Sequence, residues 1–147
     1  MNLVIDASVV VKWLVPDPGS EPDVDRALEL LEEIHGGRIL PLQPPHWLAE
    51  VAAVLTRLAP AEAEQALTLL DAMDFPVTDG LPLYQRASRL AHQLNHHLFD
   101  TLYHAVALEY GCLLVSADAH YLRKAHALGS VVALADWREP LRGETSV

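Results

Sequence analysis

The sequence has a single cysteine and no long apolar run. Cys112 is the only cysteine in the 147-residue chain, so an internal disulfide framework is excluded. It lies beside Leu113 and Leu114 in a segment typical of a buried strand, and an unpaired buried thiol is usual in a reducing compartment. No stretch approaches the ~18 apolar residues of a membrane-spanning helix. Asp6 and Lys12 interrupt the apolar N-terminal segment, which has no basic leader. We therefore predict a cytoplasmic protein without a membrane span or an export signal.

Basic residues are also scarce. The chain has 10 lysines and arginines against 20 acidic residues, which gives a formal net charge of −10. Sequence-independent binding of nucleic acid needs a basic protein surface, so this negative net charge argues against that kind of binding. It does not exclude a nucleic-acid enzyme whose acidic site binds cations. Hydrophobic residues make up 51% of the chain, which is typical of a globular fold and not of a disordered chain. The length fits one domain, and we expect it to span residues 1–147.

Short apolar segments alternate with amphipathic helical patterns along the chain. This alternation predicts an α/β fold with a central parallel sheet covered on both faces. Ligands of such sheets bind beyond the carboxyl ends of the strands. The predicted strands are residues 3–5, 38–42, 75–78, 112–116 and 130–134. The predicted helices are residues 9–14, 24–35, 47–58, 60–74, 83–94, 100–111 and 118–129.

Acidic residues are expected at one edge of this sheet. Asp6 directly follows the first strand, and Asp118 follows the strand at residues 112–116. Asp100 begins a predicted helix that leads through Gly111 into that same strand. A helix of about eleven residues spans roughly 16 Å, so it runs back along the sheet and its first turn lies near the carboxyl edge. The three carboxylates are therefore predicted to share one cleft.

Glu50 is a fourth candidate for the same cleft. It lies about one 100° step from Val51, which is near the middle of an apolar helical stripe, so its side chain borders the buried face. Clustered carboxylates repel one another, and their pKa values rise. A divalent cation removes that conflict, and carboxylate oxygens with water suit Mg²⁺ or Mn²⁺ better than Zn²⁺. The predicted ligands are Asp6, Glu50, Asp100 and Asp118.

Each acid also has a purely structural interpretation. Asp6 or Ser8 would cap the first helix, and Asp100 and Asp118 would be ordinary helix N-caps. Glu50 would be a surface residue. Taken one at a time these interpretations are favoured, but the convergence of three acids on one sheet edge favours a metal site.

The histidines offer a different kind of metal site. Spacings of i,i+4 on a helix can hold a softer metal. Two such pairs occur, His46 with Glu50 and Asp100 with His104. However, no cluster of cysteine or histidine has a recognised metal-binding spacing. His96 and His97 are adjacent, and on a helix their side chains are expected to diverge. We therefore do not predict a zinc-type site.

Three segments of the chain resemble the PIN-domain ribonucleases, and most closely the small VapC-type toxins of toxin–antitoxin pairs. These segments are "LVIDASVVVKWL", "HWLAEVAAVL" and "FDTLYHAVALEYGCLLVSAD", which contain Asp6, Glu50, Asp100 and Asp118. The family often has Thr where Ser116 stands, and often Asn where Ala53 stands. The resemblance implies a three-layer α/β/α sandwich and metal-dependent hydrolysis of RNA phosphodiester bonds. It also implies a homodimer that a cognate antitoxin protein inhibits.

In the function so implied, the four acids are the catalytic residues and bind one or two Mg²⁺ or Mn²⁺ ions. Ser8, Thr101 and Ser116 would hydrogen-bond to the carboxylates or hold the phosphate, although a helix cap or a backbone bond explains each hydroxyl equally well.

Three rival functions stay open on the sequence. The first is a catalytically silent PIN-fold module that binds protein. The second is a phosphoacceptor receiver domain, which usually requires a lysine after a late strand, whereas the only lysines are Lys12 and Lys124. The third is a phosphohydrolase with an aspartate nucleophile, which would require a second aspartate at the position of Ser8.

Overall fold

A computed structural model describes residues 1–15 and 23–138 of the chain. The strands are β1 (Asn2–Ile5), β2 (Leu40–Pro41), β3 (Leu113–Ser116) and β4 (Val131–Ala133). The helices are α1 (Ala7–Leu14), α2 (Val24–His35), α3 (Trp47–Leu58), α4 (Ala63–Ala72), α5 (Leu81–Leu94), α6 (Leu98–Tyr110) and α7 (Ala119–Ala125). None of the helices in these ranges is long and apolar enough to cross a membrane.

The four strands form one parallel sheet in the order β2-β1-β3-β4. The central strand β1 is apolar on both faces, because helices cover the sheet, and Leu3, Val4 and Ile5 are at most 2% exposed. The predicted α/β fold with a central parallel sheet is confirmed. Because β1 and β3 are neighbours and parallel, the residues that follow them emerge at the same edge.

Helix α6 is the most deeply buried helix of those described. Every residue from Thr101 to Ala107 is buried, and the helix packs on both β1 and β3. It ends at Gly111, whose φ of 64° gives the left-handed C-cap that turns the chain back into β3. The first turn of α6 therefore lies at the carboxyl edge of the sheet, as predicted for the helix that carries Asp100.

Several predicted boundaries are wrong. The strand predicted at residues 38–42 is only Leu40–Pro41. Proline is tolerated there because β2 is an edge strand and its bonds to β1 come from the N–H groups of Leu40 and Leu42. Residues 75–78 form no strand and make a single bridge, between Gln43 and Val77. The helix predicted from residue 60 begins at Ala63. The helix predicted to begin at Asp100 begins two residues earlier, at Leu98.

The buried side chain of Gln43 continues the sheet beyond the short β2. Its Nε2 donates to the Ile5 carbonyl at 2.8 Å, and its Oε1 accepts from the Ile5 N–H at 2.9 Å. Its backbone bonds to the next segment, since Gln43 N–H donates to Pro76 O and Thr78 N–H donates to Gln43 O, both at 2.9 Å. This glutamine therefore holds the last residue of β1, directly before Asp6, where β2 is too short to do so.

We predict that Gln43→Leu lowers the free energy of unfolding by about 2–4 kcal/mol. Leucine has a similar size but leaves the buried N–H and C=O of Ile5 without these partners, and an unsatisfied buried group costs about 1–3 kcal/mol. Urea unfolding measures the change. The matched control is Gln93→Leu on the exposed face of α5, which should shift stability by no more than about 0.5 kcal/mol. Equal stabilities of the two variants would contradict the role given to Gln43.

Candidate metal site at the carboxyl edge of the sheet

The structure brings all four predicted acids to one cleft at the carboxyl edge of the sheet. They come from four separate places in the chain, namely the end of β1, the first turn of α3, the first turn of α6 and the residue before α7. The cleft is lined by Asp6, Glu50, Asp100 and Asp118, together with Ser8, Lys12, Arg57 and apolar residues of α1 and α3. The geometric part of the sequence prediction therefore agrees with the structure.

Asp6 is the most enclosed of these acids, with 8% of its surface exposed. It is the N-cap of α1, and its Oδ2 accepts hydrogen bonds from the Ser8 N–H at 3.2 Å and from the Ser8 hydroxyl. Asp6 therefore caps α1 and also faces the cleft, so its position is compatible with both the structural and the functional interpretation. Ser8 Oγ in turn accepts from Ala117 N–H at 3.0 Å, so Ser8 connects β1 to the segment after β3.

Ser116 makes a second connection of the same kind. Its hydroxyl donates to Asp6 Oδ2 at 3.5 Å and accepts from the Asp118 N–H at 3.1 Å. Ser8 and Ser116 therefore both donate hydrogen bonds to the Asp6 carboxylate. Thr101 behaves differently. Its hydroxyl lies 2.9 Å from the Ala87 carbonyl and 3.0 Å from the Leu98 carbonyl, so it ties α6 to α5 instead of supporting a carboxylate.

Burial raises the pKa of Asp6 to about 7. The hydrogen bond from the Ser8 hydroxyl lowers this pKa, but the nearby negative charges of Asp100 and Glu50 raise it further. At neutral pH the Asp6 carboxylate is therefore stabilised either by taking up a proton or by a nearby cation. Burial is the main cause of the raised pKa, and the clustering of acids that the sequence predicts adds to it.

Glu50 is held next to α6 by His46. His46 Nε2 donates to the Phe99 carbonyl at 2.8 Å, and the same nitrogen lies 2.7 Å from Glu50 Oε2. The imidazole ring also packs against Tyr103, with ring centroids 4.9 Å apart. Glu50 Oε2 is buried, so its contact with His46 is shielded from water. His46 therefore positions Glu50, a role that its spacing in the sequence does not reveal, because that spacing indicates only a ligand of a softer metal.

Asp100 is in the first turn of α6 and is not its N-cap, which is His97. Its Oδ2 lies 2.6 Å from His96 Nε2 and 3.0 Å from His97 Nε2. The two imidazole rings stack with centroids 4.7 Å apart. The prediction that these side chains diverge is wrong, because they lie between helices: Asn95, with φ of 49°, ends α5 in a left-handed conformation.

Asp118 is the N-cap of α7, and its Oδ1 accepts from the N–H groups of His120 at 3.0 Å and Tyr121 at 3.2 Å. It also lines the cleft, so the N-cap interpretation is correct without excluding the functional one. The suggested pair of Asp100 with His104 is not a metal site. His104 Nδ1 accepts from the Tyr121 hydroxyl and Nε2 donates to the Gly129 carbonyl, both at 2.8 Å.

The residues around the cleft fit a hard divalent cation. All four acids offer oxygen, which Mg²⁺ and Mn²⁺ prefer, and the buried Asp6 carboxylate, whose pKa is raised, is a group whose charge a cation would offset. Among residues 1–15 and 23–138, only His96, His97 and Asp100 bring three potential ligand atoms within 4.8 Å of one another. No three of the four carboxylates come that close within these ranges, so an ion shared by them would be held partly through water, as Mg²⁺ often is.

We predict that the metal-free protein becomes less stable as the pH rises, and that Asp6→Asn removes most of this pH dependence. Because the pKa of Asp6 is about 7 in the folded chain and about 4 when unfolded, the folded state holds this proton more tightly. Its contribution to stability is complete below about pH 4, decreases as the pH rises, and is lost above about pH 7.

Urea unfolding in the presence of a chelator, from about pH 4 to about pH 8, measures this effect. At the acidic end the two proteins should be similarly stable, and at the alkaline end the Asp6→Asn variant should be more stable by on the order of a few kcal/mol. A difference between the two proteins that stays constant with pH would contradict the raised pKa.

Comparisons with known proteins agree with this architecture. A model of the PIN domain matches residues 3–127, a range that includes all four acids. A crystal structure of PAE2754 from Pyrobaculum aerophilum superposes with a TM-score of 0.67 at 19% sequence identity, covering 97% of this chain and 96% of the other. That likeness shows the fold alone. A search of curated proteins finds no significant match. The family match spans most of the sequence, and the chain therefore belongs to the PIN domain family.

Proposed function

We propose that this protein is a Mg²⁺- or Mn²⁺-dependent ribonuclease that acts as the toxin of a toxin–antitoxin pair. PIN domains are a family of metal-dependent nucleases, which supports the class of activity. The observation that carries the proposal is the convergence of four carboxylates, from four separate elements, on the cleft beside the buried Asp6. An α/β fold without function has no physical reason to gather this much negative charge at one sheet edge.

In the proposed mechanism, Asp6, Glu50, Asp100 and Asp118 would hold a divalent ion directly or through water. Such an ion would supply an activated water for attack on phosphorus and would offset the negative charge of the scissile phosphate. The chain need not supply a nucleophile. Ser8 has its hydroxyl bonded to Asp6 and its oxygen bonded to Ala117 N–H, which suits a supporting role. Ser8 and Ser116 keep the Asp6 carboxylate in place before the ion arrives.

Two cations line the same cleft and suit a polyanionic substrate. Lys12 is on α1 and Arg57 is on α3, so they approach the cleft from different helices. In our proposal they contact RNA phosphates on either side of the cleaved bond, which is the positioning role that such residues have in most nucleic-acid complexes. Local contacts of this kind are compatible with a formal net charge of −10, because bound cations reduce the repulsion at the site.

The toxin role, the homodimer and the inhibiting antitoxin rest on the resemblance of the three motif segments to VapC-type proteins. They extend the nuclease assignment and have separate tests. Induced expression in a bacterial host should arrest growth, and Asp6→Asn should not. A small protein encoded in the neighbouring reading frame should bind the toxin and restore growth. Normal growth during expression of active nuclease would reject the toxin role and leave the nuclease assignment standing.

The rival proposal is a catalytically silent PIN-fold module that binds protein. It is weakened by the presence of all four acids and by the hydrogen bonds that support Asp6 from two sides. A cleft that had lost its chemistry would not need this support.

We predict that saturating Mg²⁺ or Mn²⁺ raises the melting temperature by about 5–10 °C. An ion that binds only the folded state at about a hundred times its Kd contributes about 2.7 kcal/mol, and about 1 kcal/mol corresponds to about 2–4 °C for a chain of this size. Differential scanning calorimetry with each ion and with chelator measures the shift. Asp6→Asn should abolish it.

The same variant should lose RNA cleavage by at least about a hundredfold, equivalent to about 2.7 kcal/mol of transition-state stabilisation. The matched control is Asp71→Asn, which changes an exposed acid near the end of α4 and should leave both the metal shift and cleavage intact. Single-stranded DNA of the same sequence should be cleaved much more slowly than RNA. Undiminished cleavage by the Asp6→Asn variant would reject the proposed site, and equal cleavage of DNA would reject the RNA specificity.

A further inference from the structure

We propose that Lys124 and His96 form a hydrogen-bond relay that positions Asp100 in the metal-binding cleft. The sequence predicts no such role for either residue. The inference deepens the proposed function and rests on it in one respect, namely that Asp100 is a ligand of the divalent ion. The hydrogen-bond relay itself can be tested without metal or RNA.

The first bond of the relay joins His96 to Asp100. His96 Nε2 lies 2.6 Å from Asp100 Oδ2, and an ionised carboxylate can only accept hydrogen bonds. The proton of this bond is therefore on His96 Nε2. The His96 side chain is only 6% exposed, compared with 63% for His97, so water competes much less with the bond from His96. Asp100 thus has one oxygen held by an enclosed donor.

The second bond determines which nitrogen of His96 has the proton. Lys124 Nζ lies 3.3 Å from His96 Nδ1 and 2.8 Å from the Asn95 carbonyl. An ammonium group has three donors and no acceptor, so Nδ1 must accept from it. A neutral imidazole has one N–H, and that N–H is then on Nε2, facing Asp100. Lys124 therefore selects the tautomer that Asp100 needs.

The ring of His96 is also held by packing. It contacts the ring of Tyr121 with centroids 5.1 Å apart and the ring of His120 with centroids 5.7 Å apart. Both rings are on α7, as is Lys124, and α7 begins directly after Asp118. The relay therefore connects the helix that follows one acid of the cleft to the first turn of the helix that carries another. Its effect is to fix the position of Asp100 relative to Asp118.

A different interpretation of the same cluster is a second metal site for a softer ion. His96, His97 and Asp100 bring three ligand atoms within 4.8 Å, and two imidazoles with one carboxylate suit Zn²⁺. Binding through His96 Nε2 would place the proton on Nδ1, however, opposite the Lys124 ammonium. A metal-bound histidine normally donates that N–H to a carboxylate, a carbonyl or water. The position of Lys124 therefore favours the relay over the zinc site.

The tautomer of His96 is tested directly by long-range ¹H–¹⁵N NMR of the metal-free protein. We expect His96 to have its proton on Nε2 in the wild type, and Lys124→Met to lose this single tautomer. The matched control is Arg123→Met, which removes an exposed neighbouring cation on α7 and should leave the His96 spectrum unchanged. A proton on Nδ1 in the wild type would overturn the relay, whatever the protein is found to cleave.

The consequence for the ion is tested by Mn²⁺ affinity, measured without RNA by electron paramagnetic resonance of free Mn²⁺. Loss of a partner that orients a metal ligand typically weakens binding about 10–100-fold, and we expect this for His96→Leu. His96→Gln keeps an N–H donor at a similar reach and should recover most of the affinity. His92→Leu, on the exposed surface of α5, should have no effect.

The outcomes separate the relay from the proposed function. If the wild type binds Mn²⁺ and His96→Leu binds it equally well, the relay is wrong and the metal site stands. If the wild type binds no Mn²⁺, the proposed function is rejected. The NMR spectrum of the metal-free protein then still tests the relay, because it shows which nitrogen of His96 has the proton. If Zn²⁺ binds one to one in Asp6→Asn and this binding is lost in His97→Gln, the cluster is a second metal site and the positioning role is rejected.

Discussion

The burial of the Asp6 carboxylate beside other acids, at the carboxyl edge of the sheet, is the energetic cost that the surrounding contacts of this site offset. β1 and β3 are adjacent and parallel, so Asp6 and the segment containing Asp118 leave the sheet at the same end. The direction of α6 brings Asp100 to that end, and the first turn of α3 brings Glu50. Burial prevents water from screening Asp6, and its pKa rises to about 7. A proton or a cation in the cleft therefore stabilises the folded chain.

The polar contacts around the cleft hold the acids in place. The supporting residues are Ser8 and Ser116 for Asp6, His46 for Glu50, and His96 for Asp100. Several of these supports also bond to a second element, so the carboxylates are oriented by contacts between parts of the chain that are distant in the sequence. Gln43 has the same effect one residue earlier, by satisfying the backbone of Ile5 from the other side of β1. Supports of this kind orient the oxygens without a ligand, and such preorganisation lowers the entropic cost of binding one.

Three histidines near the cleft differ in the hydrogen bonds that they make and therefore in their roles. His104 is enclosed within α6, where burial lowers the pKa and both nitrogens bond to protein groups. His46 bridges two helices, and His96 lies between an ammonium and a carboxylate. In each case the hydrogen-bond partners determine which nitrogen has the proton, and that decides whether the residue can be a ligand or only a support.

The fold class could be predicted from the sequence, and so could the convergence of four acids on one cleft at the carboxyl edge of the sheet. These follow from local information, because apolar periodicity identifies strands and helices and each acid stands close to one of their ends. The contacts between side chains could not be predicted in this way. The contacts of Ser116 with Asp6, of Gln43 with Ile5 and of Lys124 with His96 join residues that are 110, 38 and 28 positions apart. The stacking of His96 on His97 depended on a left-handed residue at Asn95 that ends α5. Such contacts depend on how the elements pack and where the backbone changes direction, and the pattern of apolar residues does not specify these.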